Sequence, residues 1–136
     1  MIVVVDTDVA AAALLGEPER GAEAGRLLSR KIHLLAPAHW QAELANVIWK
    51  ATLQGRLPID QLDRVMELAS RLPVESVEVR SLWRGAVALA VAHAHPVYDT
   101  LFVELARRVG ARLASYDRVL REKFSELVSE PKEILG

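Results

Sequence analysis

The chain has 136 residues, 51% of them hydrophobic, and its 17 basic side chains nearly balance 18 acidic ones for a net charge of −1. That length suits one domain over residues 1–136, and the high apolar content at near-zero net charge excludes a disordered chain. The absence of cysteine excludes disulfides, thiolate metal sites and cysteine nucleophiles, and the charge parity argues against an openly basic nucleic-acid binder.

In chain order, Ile2 to Val5 is a β-branched run apolar on both faces, as a central parallel strand under helices should be. It reaches a carboxylate at Asp6 with no basic lead, unlike a signal peptide. Val9 to Leu15 reads as a short helix stopped at Gly16. Pro18 opens the next, Glu19 to Lys31, with acids early and bases late as the helix dipole favours. Ile32 to Ala36 is a second strand closed by Pro37. His39 to Gln54 is a helix ending at Gly55, and Pro58 to Leu72 another, closed by Pro73. Val74 to Val77 is a third strand. Leu82 to Ala94 and Tyr98 to Val109 are helices, the second with Gly110 just past its end. Arg112 to Ala114 is a fourth strand, Val119 to Phe124 a short helix, and Leu127 and Val128 a fifth strand. Strands alternating with helices predict a three-layer α/β/α sandwich around a parallel sheet of four to five strands. The most apolar stretch, Ala86 to Ala94, is half the length of a membrane span, so the expected setting is a cytoplasmic domain with no membrane contact.

Ligands of open parallel sheets bind beyond the carboxyl ends of the strands. Four acids can face that rim: Asp6 after the first strand, Glu43 early in the His39 helix, Asp99 opening the helix after Pro96, and Asp117 shortly after the fourth strand. Each has an ordinary explanation by itself. An aspartate after a strand often caps the next helix, an acid in a first turn answers the dipole, and a lone glutamate is commonly a solvated helix residue. Together they are another matter. Two carboxylates about 4 Å apart repel by roughly 4 kcal/mol at an effective dielectric of 20, so a cluster of four needs protonation or a divalent cation. Hard oxygen donors without histidine or cysteine suit Mg²⁺ or Mn²⁺, and such a site activates water for in-line displacement at phosphorus.

The ordered set Val5-Asp6-Thr7, Glu43-Leu44-Ala45-Asn46, Tyr98-Asp99 and Leu113-Ala114-Ser115-Tyr116-Asp117 resembles the PIN domain family over essentially the whole chain, and within it the VapC-type toxin ribonucleases of toxin–antitoxin pairs. The resemblance implies a PIN-like fold and an acidic quartet of Asp6, Glu43, Asp99 and Asp117, with Ser115 as a polar helper. It implies an RNA substrate, a dimer and a small antitoxin partner. On this reading the chain is a metal-dependent endoribonuclease. Asp6, Asp99 and Asp117 hold one or two Mg²⁺ ions (Mn²⁺ being the other candidate), while Glu43 completes the cluster and steers the attacking water. Asn46, the chain's one asparagine, lies three residues after Glu43 on the same helix face and could orient its carboxylate. Asp8 departs from the family, which commonly carries Ser, Thr or Asn there. As a fifth acid it could join the outer shell, but capping of the Val9 helix is the favoured role.

Two rival readings remain at this stage. Val3-Val4-Val5-Asp6-Thr7-Asp8 also looks like the aspartyl-phosphate motif of haloacid-dehalogenase-type phosphatases, with Asp6 as nucleophile. That family needs a lysine at a later strand end and a late pair of acids; the late strand end here offers Ser115 and Asp117, with no lysine until Lys123 and no adjacent acid pair. The other rival is a non-catalytic PIN-like scaffold for RNA or a partner, against which the intact quartet speaks. His93 and His95, two apart, do not share a helix face. His39, four before Glu43, is read as an ordinary helix-start histidine, Lys50 as a solvated lysine, and Trp40, Trp49 and Trp83 as packing or subunit contacts. The helices from His39 to Leu72 carry more apolar surface than one side of a sheet requires, which suits an antitoxin segment or a dimer contact. Setting the quartet aside as metal-neutralised leaves 17 basic residues against 14 acidic. Arg107, Arg108, Arg112, Arg118, Arg121 and Lys123 then stand out near the presumed rim or on flanking helices, a mildly basic body compatible with RNA.

Overall fold

A computed structural model describes residues 1–136. The strands are β1 (Ile2–Val5), β2 (His33–Pro37), β3 (Val74–Val77), β4 (Arg112–Ala114) and β5 (Val128–Ser129). They form one sheet in the order β3-β2-β1-β4-β5, with every pairing parallel. The helices are α1 (Thr7–Leu15), α2 (Arg20–Ser29), α3 (Trp40–Leu53), α4 (Leu62–Ser70), α5 (Trp83–His93), α6 (Val97–Val109), α7 (Arg118–Lys123) and α8 (Pro131–Leu135). No single helix is long and apolar enough to cross a membrane.

Alternation along β1 sends its side chains to two cores. Val4 joins Leu35, Leu113, Phe102, Ile48 and Leu120 beneath the layer of α3, α5, α6 and α7. Val3 and Val5 join Leu34, Val9, Ala24 and Leu27 beneath α1 and α2. α1 sits at the margin, giving Ala10 and Ala11 to the first core and Val9 and Ala12 to the second. The chain leaves β1 for β2 on one side and later returns to β4 on the other, so the strand order reverses beside β1. A crevice opens at such a switch point, at the carboxyl ends of the strands. Asp6 and Ser115, the residues following β1 and β4, stand at that crevice.

Several sequence expectations change, among them the second strand, which runs one residue later and includes Pro37. The helix expected over Pro58–Leu72 is a 3₁₀ turn, Ile59–Gln61, followed by the shorter α4. The fifth strand lies one residue later than expected. The short α8 was not foreseen, although Glu130 and Glu133 cap one another's backbone N–H around Pro131, a locally legible start signal.

Candidate active site

Asp6 is the N-cap of α1. Its extended backbone (φ −72°, ψ 151°) lets Oδ1 accept the Thr7 N–H at 2.8 Å. The expected capping role of Asp8 therefore does not hold. Thr7 already opens the helix, and Asp8, in the first turn, points across to β4's end, where Oδ2 accepts the Tyr116 N–H at 3.0 Å. The second oxygen of Asp6 accepts the Ser115 hydroxyl at 2.7 Å, and its backbone N–H donates to Ala114 O at 2.9 Å. Ser115 is fully buried, and its Oγ also accepts the Asp117 N–H at 3.0 Å. One hydroxyl thus ties Asp6 to the segment carrying Asp117. Asp117 caps α7 through Leu120 N–H at 3.1 Å, so capping accounts for one oxygen each of Asp6 and Asp117.

Glu43, in the first turn of α3, is held to the same rim by Thr7, whose hydroxyl donates to Oε1 at 2.8 Å. Asn46 is exposed and does not hold the Glu43 carboxylate; Thr7 takes that place. His39 Nε2 is 3.7 Å from Glu43 Oε1 and donates to Tyr98 O at 2.9 Å. A carbonyl only accepts, so the hydrogen belongs on Nε2, leaving His39 Nδ1 buried without a partner. Asp99 lies in the first turn of α6, and its Oδ2 is 2.8 Å from Nε2 of His95.

These acids feel one another. Burial, then the charge of Asp8, then that of Asp99 push the Asp6 carboxyl well above the usual carboxylate range, against the lowering bonds from Ser115 and Thr7. Burial, with Asp117 and Glu17 nearby, pushes Asp8 up to about 7 despite the Tyr116 N–H and the Arg20 charge. One of its oxygens, Oδ1, is buried with no hydrogen-bond partner. No three His, Asp or Glu side chains draw together as a closed metal cage. The donors are nonetheless all hard oxygens, and Mg²⁺ characteristically takes only one or two carboxylates and keeps several waters. A crowded set of repelling carboxylates, with all donors hard oxygens, fits that ion in kind.

Lys123, the one lysine that the phosphatase reading could enlist, donates to the carbonyls of His93 and Ala94 at 3.0 and 3.1 Å. The basic residues divide. Arg118, Arg121 and Lys123 ride on α7, which begins at Asp117. Arg107 and Arg108 lie at the far end of α6 from Asp99, bound to buried Glu104, and Arg112 braces Glu126 O at the start of β4. His95 is the contact that sequence reasoning missed: it stands four residues before Asp99, but the break between α5 and α6 lies between them, so helical spacing gave no signal. Trp40 is core, its Nε1 donating to Ser76 Oγ at 2.9 Å, whereas Trp49 and Trp83 are exposed.

Comparison with known proteins gives a consistent picture. The family model of the PIN domain matches residues 3–124. The chain is 36% identical over 135 residues to a protein named Ribonuclease VapC3 from Pyrobaculum aerophilum, covering 95% of this chain and 99% of that one. Among solved structures it is similar to Mycobacterium tuberculosis VapC20, described as a sarcin–ricin-loop-cleaving toxin, with a TM-score of 0.66 at 18% identity over 88% of this chain and 93% of the other. A toxin–antitoxin complex from Klebsiella pneumoniae gives a TM-score of 0.64 at 16% identity over 95% and 97%.

Proposed function

The chain belongs to the PIN domain family, and we propose that it is a metal-dependent endoribonuclease acting as the toxin of a toxin–antitoxin pair. The observation that carries the chemistry is the half-buried Asp6, held at the switch point of the sheet by Ser115 and Thr7, its carboxyl raised by burial and by the nearby charges of Asp8 and Asp99. Carboxylates arranged this way are costly unless a cation joins them. The similarity to a protein named as a ribonuclease supports RNA as the substrate.

In this reading Asp6, Asp99 and Asp117 would hold one or two Mg²⁺ ions, directly or through water, with Mn²⁺ able to replace Mg²⁺. The bound ion supplies charge neutralisation at the phosphate and a more acidic water. The protein does the rest by position. Ser115 fixes the orientation of Asp6 and the backbone of Asp117 through one hydroxyl. Thr7 immobilises Oε1 of Glu43, so Glu43 can orient a water and take up its proton as the water oxygen attacks phosphorus and the phosphorus–oxygen ester bond breaks, the leaving ribose oxygen taking a proton from solvent water. No side chain bonds to the substrate covalently. Asp8 belongs to the outer shell, where it braces the backbone of Tyr116.

Two apolar features suit partners, a groove and an exposed helix stripe. Trp40, Leu44, Ile48, Met66, Ala69 and Leu72 line a groove of about 270 Å³ between α3 and α4, suited to an antitoxin segment. Trp83, Val87 and Val91 are exposed at helical spacing on α5, a stripe that a second copy of the chain would cover in a homodimer. The testing experiment is RNA cleavage by purified protein in Mg²⁺ or Mn²⁺. D6N and D99N each lose several kcal/mol of transition-state stabilisation, roughly a hundredfold or more in rate. Undiminished cleavage by both variants overturns the assignment.

A further inference from the structure

The turn that joins α5 to α6 is built to deliver an imidazole to Asp99. α5 ends on Ala94 in the left-handed conformation (φ 50°, ψ 52°), an uncommon state for a residue with a Cβ. His95 follows, its backbone N–H bonded to Ala90 O at 3.2 Å and its side chain only 6% exposed. Pro96 then opens α6, and one turn into that helix Asp99 meets His95 Nε2 at 2.8 Å. The turn is clamped from outside. Lys123, the last residue of α7, donates to the carbonyls of His93 and Ala94. The neighbouring Phe124 packs on the His93 ring at 4.5 Å between centroids and presents its edge to His95 at 6.3 Å. The element that begins at Asp117 therefore ends by fixing the turn that orients Asp99.

We propose that His95 is a positioning residue for Asp99: its Nε2–H holds Oδ2 of the carboxylate and leaves Oδ1 directed to the metal ion. An ionised carboxylate only accepts, so the imidazole must donate through Nε2. A charge-assisted bond of this length fixes the rotamer of a half-exposed acid that would otherwise sample several. Partners that orient metal-binding side chains in this way are worth about 10- to 100-fold in metal affinity. The inference rests on the reading of Asp99 as a metal ligand, and the experiment separates the two.

Mn²⁺ binding to metal-free protein is titrated by the electron paramagnetic resonance of the free ion, beside RNA cleavage over a range of Mn²⁺ concentrations. The variants are H95L, which keeps bulk but not the donor, and H95Q, whose amide can still donate near the position of Nε2. D99N serves as reference. The expected result is Mn²⁺ affinity about 10- to 100-fold weaker in H95L, cleavage that recovers as Mn²⁺ is raised, an unchanged KM for RNA at saturating metal, and restoration by H95Q. Wild-type affinity in a folded H95L, or equal loss in H95L and H95Q, overturns the proposal while leaving the nuclease reading intact. A wild-type chain that neither binds Mn²⁺ nor cleaves RNA overturns the nuclease reading itself. Should H95L not fold, the ¹⁵N resonance of His95 Nε2 in the wild-type chain decides: it shifts on adding Mg²⁺ if the bond to Asp99 positions a ligand, and an unmoved resonance in a chain that binds the ion overturns the proposal.

Discussion

Asp8 shows what burying carboxylates together does to a single residue. Its Oδ2 is used by the Tyr116 N–H, but Oδ1 has no partner, and burial holds its proton on to about pH 7. The folded chain thus keeps a proton that the unfolded chain, with its carboxyl at 3.8, has released. More protons bound in the folded state means that stability falls as pH rises from about 4 to about 7 and then levels. Replacement by asparagine keeps an oxygen for Tyr116 and removes the charge. D8N is therefore expected to stabilise the metal-free protein at pH 7.5 by on the order of 1–3 kcal/mol, less than the full shift implies because water reaches the rim. At pH 4 the effect is small. Urea unfolding at the two pH values checks this, and equal effects of D8N at both contradict it. None of this was visible in Val5-Asp6-Thr7-Asp8 as a string, from which Asp8 reads as the cap. Which of two aspartates caps a helix depends on where β4 places the Tyr116 backbone.

At the scale of elements, α5 and α6 are locked by a contact that neither helix announces. Glu104 is fully buried on α6, accepting Arg107 Nε and Nη2 at 2.7 and 2.8 Å and Arg108 Nε at 2.7 Å. Burial pushes its carboxyl up, but the bonds and charges of the two arginines outweigh it and hold it below the usual range. Its contribution to stability is therefore present above the ordinary glutamate pKa and is lost as pH falls through the lowered value. The carboxylate lies against Gly85 of α5, where a Cβ would come within 2.0 Å of Oε2. G85A is expected to cost about 1–3 kcal/mol by overpacking. In an E104A background G85A should cost little, a coupling that a double-mutant cycle measures. Additive effects would remove the clamp. Legibility differs between elements for the same physical reason. Ile2–Val5 and the Gly110 stop (φ 64°) are local signals, complete within a few residues. Gly85 with Glu104 and His95 with Asp99 become meaningful only once α5 folds back on α6. His95 and Asp99 share the i, i+4 spacing, yet a helix break lies between them, and helical spacing alone did not suggest that the turn would bring them together.

For the whole molecule, topology does most of the work of assembling the site. The parallel order β3-β2-β1-β4-β5 reverses beside β1, so Asp6 meets Ser115, 109 residues later, and through its hydroxyl the backbone of Asp117. Helix starts bring Glu43 and Asp99 to the same rim. That convergence was legible because strand ends and helix starts can be read from local pattern, and the fold rule then says where they face. The distribution of charge was less legible. Arg107 and Arg108 look like rim residues in sequence but serve Glu104, leaving Arg118, Arg121 and Lys123 on α7, the helix that Asp117 caps. The central claim, an endonuclease that needs a divalent ion, is tested most directly with a covalently closed circular RNA, which has no ends for an exonuclease. Incubated with the purified chain, the circle should open in Mg²⁺, stay closed after chelation by EDTA, and open again when Mg²⁺ is restored in excess. A circle that stays intact in both Mg²⁺ and Mn²⁺, or that opens equally well in EDTA, would contradict the account.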